Sequence, residues 1–176
     1  MSPTDSLRPM VYAALFVALI CVGAFIAIPI GPVPIVLQNM FVLLAGLILG
    51  PTWGTACVAV YLLIGLAGLP VFAGGTSGIG KIFGPTGGYL LGYLPAVLVT
   101  GAVSKFLGKT LFRDILAMIA GSIMLYGVGV PWLKLAFSLS WGQALALGLV
   151  PFLLGDAVKI AGAVIMARKI RPLLKE

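Results

Sequence analysis

A stretch of 72 residues, from Pro9 to Gly80, contains no charged side chain. A water-soluble domain needs charge on its outer faces, and a stretch of this length built from Leu, Ile, Val, Ala, Phe and Gly has no face for water. At about 20 residues per apolar helix, it is long enough for three crossings of a bilayer. The sequence therefore predicts an integral membrane protein whose function depends on the few polar groups inside it.

The composition of the whole chain supports one membrane domain. Of its 176 residues, 61% are apolar and 9% are charged, whereas a typical globular domain carries roughly 25% charged residues. We therefore expect a single transmembrane domain over residues 1–176. The net charge of +7 is better explained by loops that contact membrane lipid than by nucleic-acid binding, because basic residues mark the cytoplasmic side of membrane proteins.

Prolines and glycines divide the apolar sequence into helices. Three prolines within residues 29–34 end the first helix, because proline removes a backbone donor and blocks continuation. Gly50-Pro51 predicts a tight turn. Backbone polar groups must be satisfied inside the bilayer, which favours helices. The predicted fold class is all-α, a bundle of six transmembrane helices at residues 9–28, 35–49, 52–68, 86–106, 111–128 and 147–166.

The segment 69–85, between the third and fourth helices, has a composition that suits neither a helix nor an exposed loop. It holds two prolines, five glycines and one lysine among otherwise mostly apolar residues. We expect it to fold back against the helices and line a cavity, since irregular backbone is tolerated at that depth only where it is buried in protein or lines a cavity.

The distribution of basic residues predicts the orientation of the bundle. Six helices place both termini on one side, and eight of the 11 Lys and Arg residues then fall on that side. The other three are Lys81, Lys134 and Lys159. Because basic loops face the cytoplasm, both termini are predicted to be cytoplasmic.

Four charged residues fall outside the predicted cytoplasmic segments: Lys81, Lys134, Asp156 and Lys159. Asp156 and Lys159 are three apart on a predicted helix and share a face. They form either a self-neutralising ion pair or a pair that grips a polar ligand in a cavity. Lys81 either faces headgroups or contacts the ligand, while Lys134 fits the aromatic interface beside Trp141.

Further candidate ligand contacts come from polar, glycine and aromatic residues near the folded-back loop. Gln38, beside Asn39, either bonds backbone freed by the prolines or faces the ligand. Glycine allows a backbone to turn sharply and approach a ligand closely. The candidates from the loop and the aromatic walls are Phe72, Gly74, Gly75, Thr86, Gly87, Tyr89 and Tyr126.

Several catalytic signatures are missing from the sequence. There is no GxxxxGK[ST] phosphate loop, no His residue, and no cluster among the four acidic residues. These absences argue against an enzyme, a metal site and a cofactor. A stand-alone secondary transporter or pore for a small polar solute, using Asp156 as a relay, is the alternative to a ligand-binding subunit.

Three segments resemble the BioY family of biotin-specific substrate-binding subunits, or S components, of energy-coupling-factor (ECF) transporters. They are Gly-Leu-Pro-Val-Phe-Ala-Gly-Gly at 68–75, Gly-Pro-Thr-Gly-Gly-Tyr-Leu-Leu-Gly-Tyr at 84–93, and Gly-Asp-Ala-Val-Lys at 155–159. The resemblance implies a six-helix bundle that holds biotin near its outer face. It implies Asp156 and Lys159 as ligand contacts, and the loop from Gly74 to Lys81 as a lid.

The resemblance also implies partners and a location. In the family, an Ala-x-x-x-Ala pair on the first helix faces the transmembrane coupling protein, and here that pair falls on Ala14 and Ala18. The implied partners are that coupling protein and two ATP-binding-cassette ATPases in the inner membrane of a bacterium. The sequence leaves the oligomeric state open, including a homo-oligomer.

Overall fold

A computed structural model describes residues 3–174 as a set of helices with one small pair of strands. Lys175, one of the cations assigned to the cytoplasmic side, lies outside the described residues. The elements in chain order are α1 (Pro3–Phe25), β1 (Ala27–Ile28), β2 (Ile35–Val36), α2 (Gln38–Leu66), α3 (Gly80–Phe83), α4 (Gly87–Leu107), α5 (Leu111–Ala136), α6 (Trp141–Gly148) and α7 (Val150–Leu173).

Five helical stretches of the described chain are long and apolar enough to cross a bilayer. They are Leu7–Phe25, Gln38–Leu66, Gly87–Leu107, Leu111–Ala136 and Trp141–Leu173. Their outer faces carry exposed apolar side chains such as Leu63, Ile123 and Leu154, which suit contact with lipid. The protein is therefore a mostly helical, multi-pass membrane protein, as the charge-free stretch predicts.

Helix α2 contains a sharp turn at Gly50. Gly50 has φ +76° and ψ −176°, outside the helical region. A Cβ added at Gly54 would lie 3.2 Å from the Cα of Gly46, although eight residues of straight helix rise about 12 Å. The segments 38–49 and 51–66 therefore lie side by side. The turn predicted at Gly50-Pro51 is present, because glycine accepts a positive φ and proline suits the first turn of a helix.

Helix α5 continues past the point where the sequence predicts its end. The prediction stops at Val128, yet the helix runs through Pro131 to Ala136. A proline inside a helix removes a single donor, and transmembrane helices tolerate this when neighbouring groups compensate. The extra turns carry Trp132, whose Nε1 donates to the carbonyl of Gly84 at 3.0 Å and so ties α5 to the start of α4.

The other helix ends also differ from the predicted bounds. Helix α1 ends at Phe25 rather than residue 28, because residues 27–28 pair with residues 35–36 as antiparallel strands, Ala27 opposite Val36. This pair was not predicted. The intervening residues 29–34 hold three prolines that cannot donate backbone hydrogen bonds. Helix α7 begins at Val150 and runs to Leu173, beyond the predicted residue 166.

A buried ion pair joins four helical segments at one end of the bundle. The Arg171 guanidinium of α7 contacts both carboxylate oxygens of Asp114 on α5, at 2.5 and 2.9 Å. It also donates to the Leu47 carbonyl of α2 at 3.0 Å and to Ser104 Oγ of α4 at 3.3 Å. Asp114 is fully buried. Sequence reasoning placed Arg171 in a basic tail and missed this tie.

Candidate functional site

A buried polar cluster forms where the starts of α2 and α7 meet the middle of α5. Asp156 Oδ1 accepts from Asn39 Nδ2 at 2.9 Å and from Lys159 Nζ at 3.1 Å. Lys159 Nζ also donates to Asn39 Oδ1 at 3.1 Å, and the Tyr126 hydroxyl donates to Asp156 Oδ2. The three residues Asp156, Lys159 and Asn39 thus form a closed triangle with Tyr126 attached. We call these four residues the Asp156 cluster.

Local structure explains why these side chains converge. Asp156 and Lys159 are three apart on α7 and therefore share one helix face. Asn39 lies in the first turn of α2, just after β2 and the proline segment that sets where that helix begins. Tyr126 lies on α5, which continues as an unbroken helix past this level.

The cluster retains hydrogen-bonding capacity for a ligand. A carboxylate accepts about four hydrogen bonds, and an ammonium group donates three. Asp156 accepts three bonds within the cluster, and Lys159 donates two. One acceptor position, on Oδ2, and one N–H of Lys159 therefore remain on oppositely charged groups. The pair therefore keeps unused hydrogen-bonding positions. It is also shielded from bulk water, since Asp156 is only 6% exposed.

Two adjoining cavities lie beside the cluster, and a third, of about 620 Å³, opens between α5 and α7 and is lined by Tyr126, Asp156 and mostly apolar side chains. A small cavity of about 40 Å³ is bounded by Asn39, Tyr126 and Lys159, and a larger one of about 410 Å³ opens under the segment that joins α2 to α4. The residues that line both cavities are Val33, Pro34, Val36, Tyr89 and Tyr93. A shared wall of tyrosines and of the proline-rich segment therefore separates the polar cluster from the larger space.

Aromatic rings form the apolar part of this site. Tyr89, Tyr126 and Phe152 stand within 6.3–6.5 Å of one another, centroid to centroid. The Tyr89 hydroxyl donates to the Gly148 carbonyl at 2.7 Å, which fixes its ring across the bundle. The arrangement is an apolar chamber with a few polar groups at defined positions, the usual design of a small-molecule site.

The structure brings five further sequence-predicted residues to the larger cavity. The lining includes Gln38, Phe72, Lys81, Thr86 and Tyr89. Gln38 is 1% exposed, and its side-chain Nε2 has no hydrogen-bond partner. Its Nε2 therefore donates to no backbone carbonyl near the prolines. Lys81 is half-buried on α3.

Three predicted glycines do not line either cavity but shape the surrounding backbone. Gly74 and Gly75 have positive φ values of +69° and +73°, and the N–H of Gly74 donates to the Ala24 carbonyl at 3.1 Å. Gly87 begins α4, where an added Cβ would collide with the carbonyl of Ile82. These glycines hold the segment between α2 and α4 against the bundle.

The remaining predicted residues lie elsewhere. Ala14 and Ala18 are exposed on α1, on the same face as Val11 and Val22 and away from buried Ile20. Lys134 stacks over the Trp141 ring at 5.3 Å, in agreement with its interpretation as an interfacial residue. The described residues hold no group of three or more His, Cys, Asp or Glu side chains that is suited to a metal ion.

Sequence reasoning underestimated Asn39 and Tyr93. Asn39 was noted only as a neighbour of Gln38, yet it bonds both members of the Asp156–Lys159 pair. The sequence does contain an indication that Asn39 has polar partners, because an amide inside an uncharged apolar stretch is costly to bury without them. Tyr93 borders both cavities, but no feature of its sequence position distinguishes it from a lipid-facing tyrosine.

The fold and site define a class of protein, namely a multi-pass membrane protein with an aromatic-walled chamber beside a buried polar cluster. Comparison with known proteins identifies the family. Residues 1–176 match the BioY family, and the chain belongs to that family. The resemblance seen in the three sequence segments is confirmed.

Curated relatives and a solved structure agree with this assignment. The chain is 44% identical over 158 residues to a probable biotin transporter BioY of Pyrococcus horikoshii, covering 90% of this chain and 93% of the relative. It is 40% identical over 168 residues to the biotin transporter BioY of Thermotoga maritima, covering 95% and 98%. A crystal structure of the S-component for biotin from an ECF-type ABC transporter superposes with TM-score 0.92 at 33% identity, covering 98% of this chain and 95% of that one.

Proposed function

We propose that this chain is the biotin-binding subunit of an ECF-type vitamin uptake transporter. The observation that carries the proposal is the Asp156 cluster, a buried pair of opposite charges with bonding capacity left over, beside a chamber with aromatic walls. The chain is a transport protein of the BioY family and not an enzyme. Its relatives are named for biotin transport, which supports the choice of ligand.

The chemistry of biotin matches the groups around the chamber. The ureido ring presents two N–H donors and one carbonyl acceptor, which complement the remaining acceptor position of Asp156 and the remaining N–H of Lys159. The ring sulfur and aliphatic tail suit the rings of Tyr89 and Phe152. Lys81 lines the larger cavity, where it would pair with the tail carboxylate. Biotin would therefore span both cavities.

Spanning both cavities requires their shared wall to move. A cavity of about 40 Å³ holds only a few water molecules, so the ureido ring enters when Tyr89, Tyr93 or the segment 33–36 shifts. The loop from Gly74 to Lys81 would act as the lid. It is anchored through Phe72, which is 1% exposed and packs edge-on against Tyr61.

The topology that fits this role has six membrane crossings and cytoplasmic termini. The fold-back at Gly50 supports counting segments 38–49 and 51–66 of α2 as two separate crossings. The excess of basic residues on the side of the termini supports a cytoplasmic assignment, with the biotin site near the outer face of a bacterial inner membrane. A reporter fused to the C-terminus should be active only in the cytoplasm; activity outside the cell would overturn this topology.

The ATP-driven step would come from partners. We expect a transmembrane coupling protein to dock on the exposed face of α1 that carries Ala14 and Ala18, with two ATP-binding-cassette ATPases attached to it. Small residues let helices approach closely. Ala14→Trp should leave biotin binding unchanged and abolish uptake by cells that contain the partners. Normal uptake would exclude this face, and Val60→Trp, on an exposed position of α2, serves as the control.

The deciding experiment is an isothermal titration of the detergent-purified protein with biotin, thiamine and riboflavin. We expect saturable heat with biotin and none with the other two vitamins. A folded preparation that releases no heat with biotin would refute the proposed function. Heat with thiamine or riboflavin instead of biotin would refute the assigned specificity.

A further inference from the structure

A basic pocket lies at the end of α7 opposite to the Asp156 cluster. It has a volume of about 270 Å³ and is lined by Lys109, Arg168, Arg171 and Pro172. Arg171 follows Asp156 along one helix and lies about 22 Å from it along the axis, at a rise of 1.5 Å per residue. The pocket is thus at the other membrane face, where α7 ends and α4 connects to α5. The biotin proposal makes no use of it.

The positive charge of this pocket is only partly neutralised. Arg171 is paired with Asp114. Among the side chains that the structure describes, however, neither Lys109 nor Arg168 forms an ion pair. Two unpaired cations therefore face one concave space. An anion with several acceptor oxygens would satisfy both, through charge-assisted hydrogen bonds that are stronger than neutral ones.

The wall of the pocket is held rigid before any ligand arrives. Arg171 is fixed by two bonds to Asp114, one to the Leu47 carbonyl and one to Ser104. Arg168 lies one helical turn earlier on α7, and Lys109 lies in the short connection between α4 and α5. A site whose backbone is already ordered loses little conformational entropy when it binds.

Exposed apolar residues beside the pocket indicate what kind of anion occupies it. Phe106 is 89% exposed, Phe112 is 67% exposed and Leu173 is 69% exposed. They flank Lys109 and Arg171 along the chain. Apolar side chains next to basic ones at a helix end place the former among acyl chains and the latter at the level of lipid headgroups. A soluble anion would have no use for the apolar residues, whereas a phospholipid uses both.

We propose that this pocket binds the headgroup phosphate of an anionic phospholipid, with Lys109 and Arg168 as its principal contacts. Basic pockets between transmembrane helices bind such headgroups. The lipid would bridge the α4–α5 connection and the end of α7. The proposal stands whether or not the chain binds biotin.

Native mass spectrometry of the protein from nanodiscs tests this, using equal amounts of phosphatidylglycerol and phosphatidylcholine. We expect one retained phosphatidylglycerol, preferred about tenfold or more over phosphatidylcholine. The variant Lys109→Gln with Arg168→Gln should lose that preference. The matched control, Arg113→Gln with Lys169→Gln, also removes one Lys and one Arg but changes no lining residue, and it should keep the preference. Unchanged melting temperatures establish that both variants are folded.

Three results would overturn the proposal. Equal loss of preference in both double variants would show that the lipid responds to diffuse surface charge. Retention of phosphatidylglycerol by Lys109→Gln with Arg168→Gln would show that the pocket is not the site. Displacement of the lipid by an equal concentration of soluble glycerol phosphate would show that a free phosphate ester, not a lipid, is the ligand.

Discussion

Helix α7 carries a buried ion pair near each end, and the two pairs differ in their surroundings. Near its start, Asp156 and Lys159 belong to the same helix, and Lys159 borders the small cavity while Asp156 borders the one between α5 and α7. Near its end, Arg171 reaches Asp114 on another helix, and Asp114 is fully buried. The same chemistry thus serves two purposes. A pair with bonding capacity left beside empty space suits a ligand, whereas a pair whose acid is sealed in protein and whose base holds several helices stabilises the bundle.

The difference follows from which groups each pair bonds. Asp156 and Lys159 both bond Asn39, and Lys159 borders the small cavity. Arg171 instead uses its two terminal nitrogens to bond a carboxylate, a hydroxyl and the Leu47 carbonyl at the end of the first half of α2, while its Nε has no partner among the described residues. That carbonyl lies just before the Gly50 turn, where helical backbone partners run out. The second pair therefore also caps a helix end.

The largest effect on stability is expected when the Asp114–Arg171 pair is broken. Asp114→Asn leaves the Arg171 guanidinium buried without its counter-charge, and we expect a loss of about 3–5 kcal/mol in the free energy of unfolding. Thermal unfolding in detergent measures it. Asp114→Leu combined with Arg171→Met removes both charges and should recover much of the loss. A melting temperature equal to the wild type in Asp114→Asn would show that this pair does not stabilise the bundle.

Breaking the Asp156–Lys159 pair should instead weaken the binding of biotin. Asp156→Asn should weaken biotin affinity by about 2–5 kcal/mol, which is on the order of thirtyfold to several thousandfold, because a charged acceptor is lost and Lys159 is left without its partner. Titration calorimetry measures the affinity. The melting temperature should fall less than in Asp114→Asn, since Lys159 keeps Asn39 and access to the cavity. Unchanged binding would remove Asp156 from the site.

A substitution at Asn39 tests whether the residues of the Asp156 cluster act together in binding. Asn39→Ala removes one donor to Asp156 and one acceptor for Lys159, and we expect biotin affinity to fall by about 1–3 kcal/mol, roughly five- to 150-fold. The measurement is again a titration. An affinity within twofold of the wild type would mean that the ion pair is oriented without the amide, and Asn39 would not belong to the binding site.

The smallest effect is expected at Ser104, whose hydroxyl makes the longest hydrogen bond to Arg171. Its hydroxyl accepts from Arg171 at 3.3 Å, so Ser104→Ala should cost about 0.5–1.5 kcal/mol of stability. Biotin affinity should not change, because the site lies at the other end of the bundle. Paired melting and titration measurements decide this. A loss of biotin affinity would show that the Asp114–Arg171 pair and the Asp156 cluster are coupled through α7.

The sequence predicted the parts of the fold that depend on local chemistry. The uncharged stretch indicated the membrane, and Gly50-Pro51 indicated the turn within α2. The spacing of Asp156 and Lys159 predicted that they share a helix face. Each of these follows from residues close together in the chain, where helix geometry alone determines what meets.

The parts that were missed depend on contacts between distant residues. Asp114 follows Arg113 on the predicted cytoplasmic side, where nothing in the sequence marks it as buried, and only helix packing buries it against Arg171. Pro131 looked like a helix end, but α5 continues because the bundle tolerates one missing donor. The strand pair at residues 27–28 and 35–36 forms because a proline-rich turn returns the chain alongside itself.

By itself, the sequence determined the membrane environment of this protein, the approximate helices, the family resemblance and the helix face that Asp156 and Lys159 share, because composition and helical periodicity are local properties. Only the tertiary structure decided that Asn39 and Tyr126 complete the pair, that Gly87 packs rather than lines the chamber, and that Arg171 is a buried tie rather than a solvated tail. Those outcomes depend on which helix faces meet, and that is set by the packing of the whole bundle.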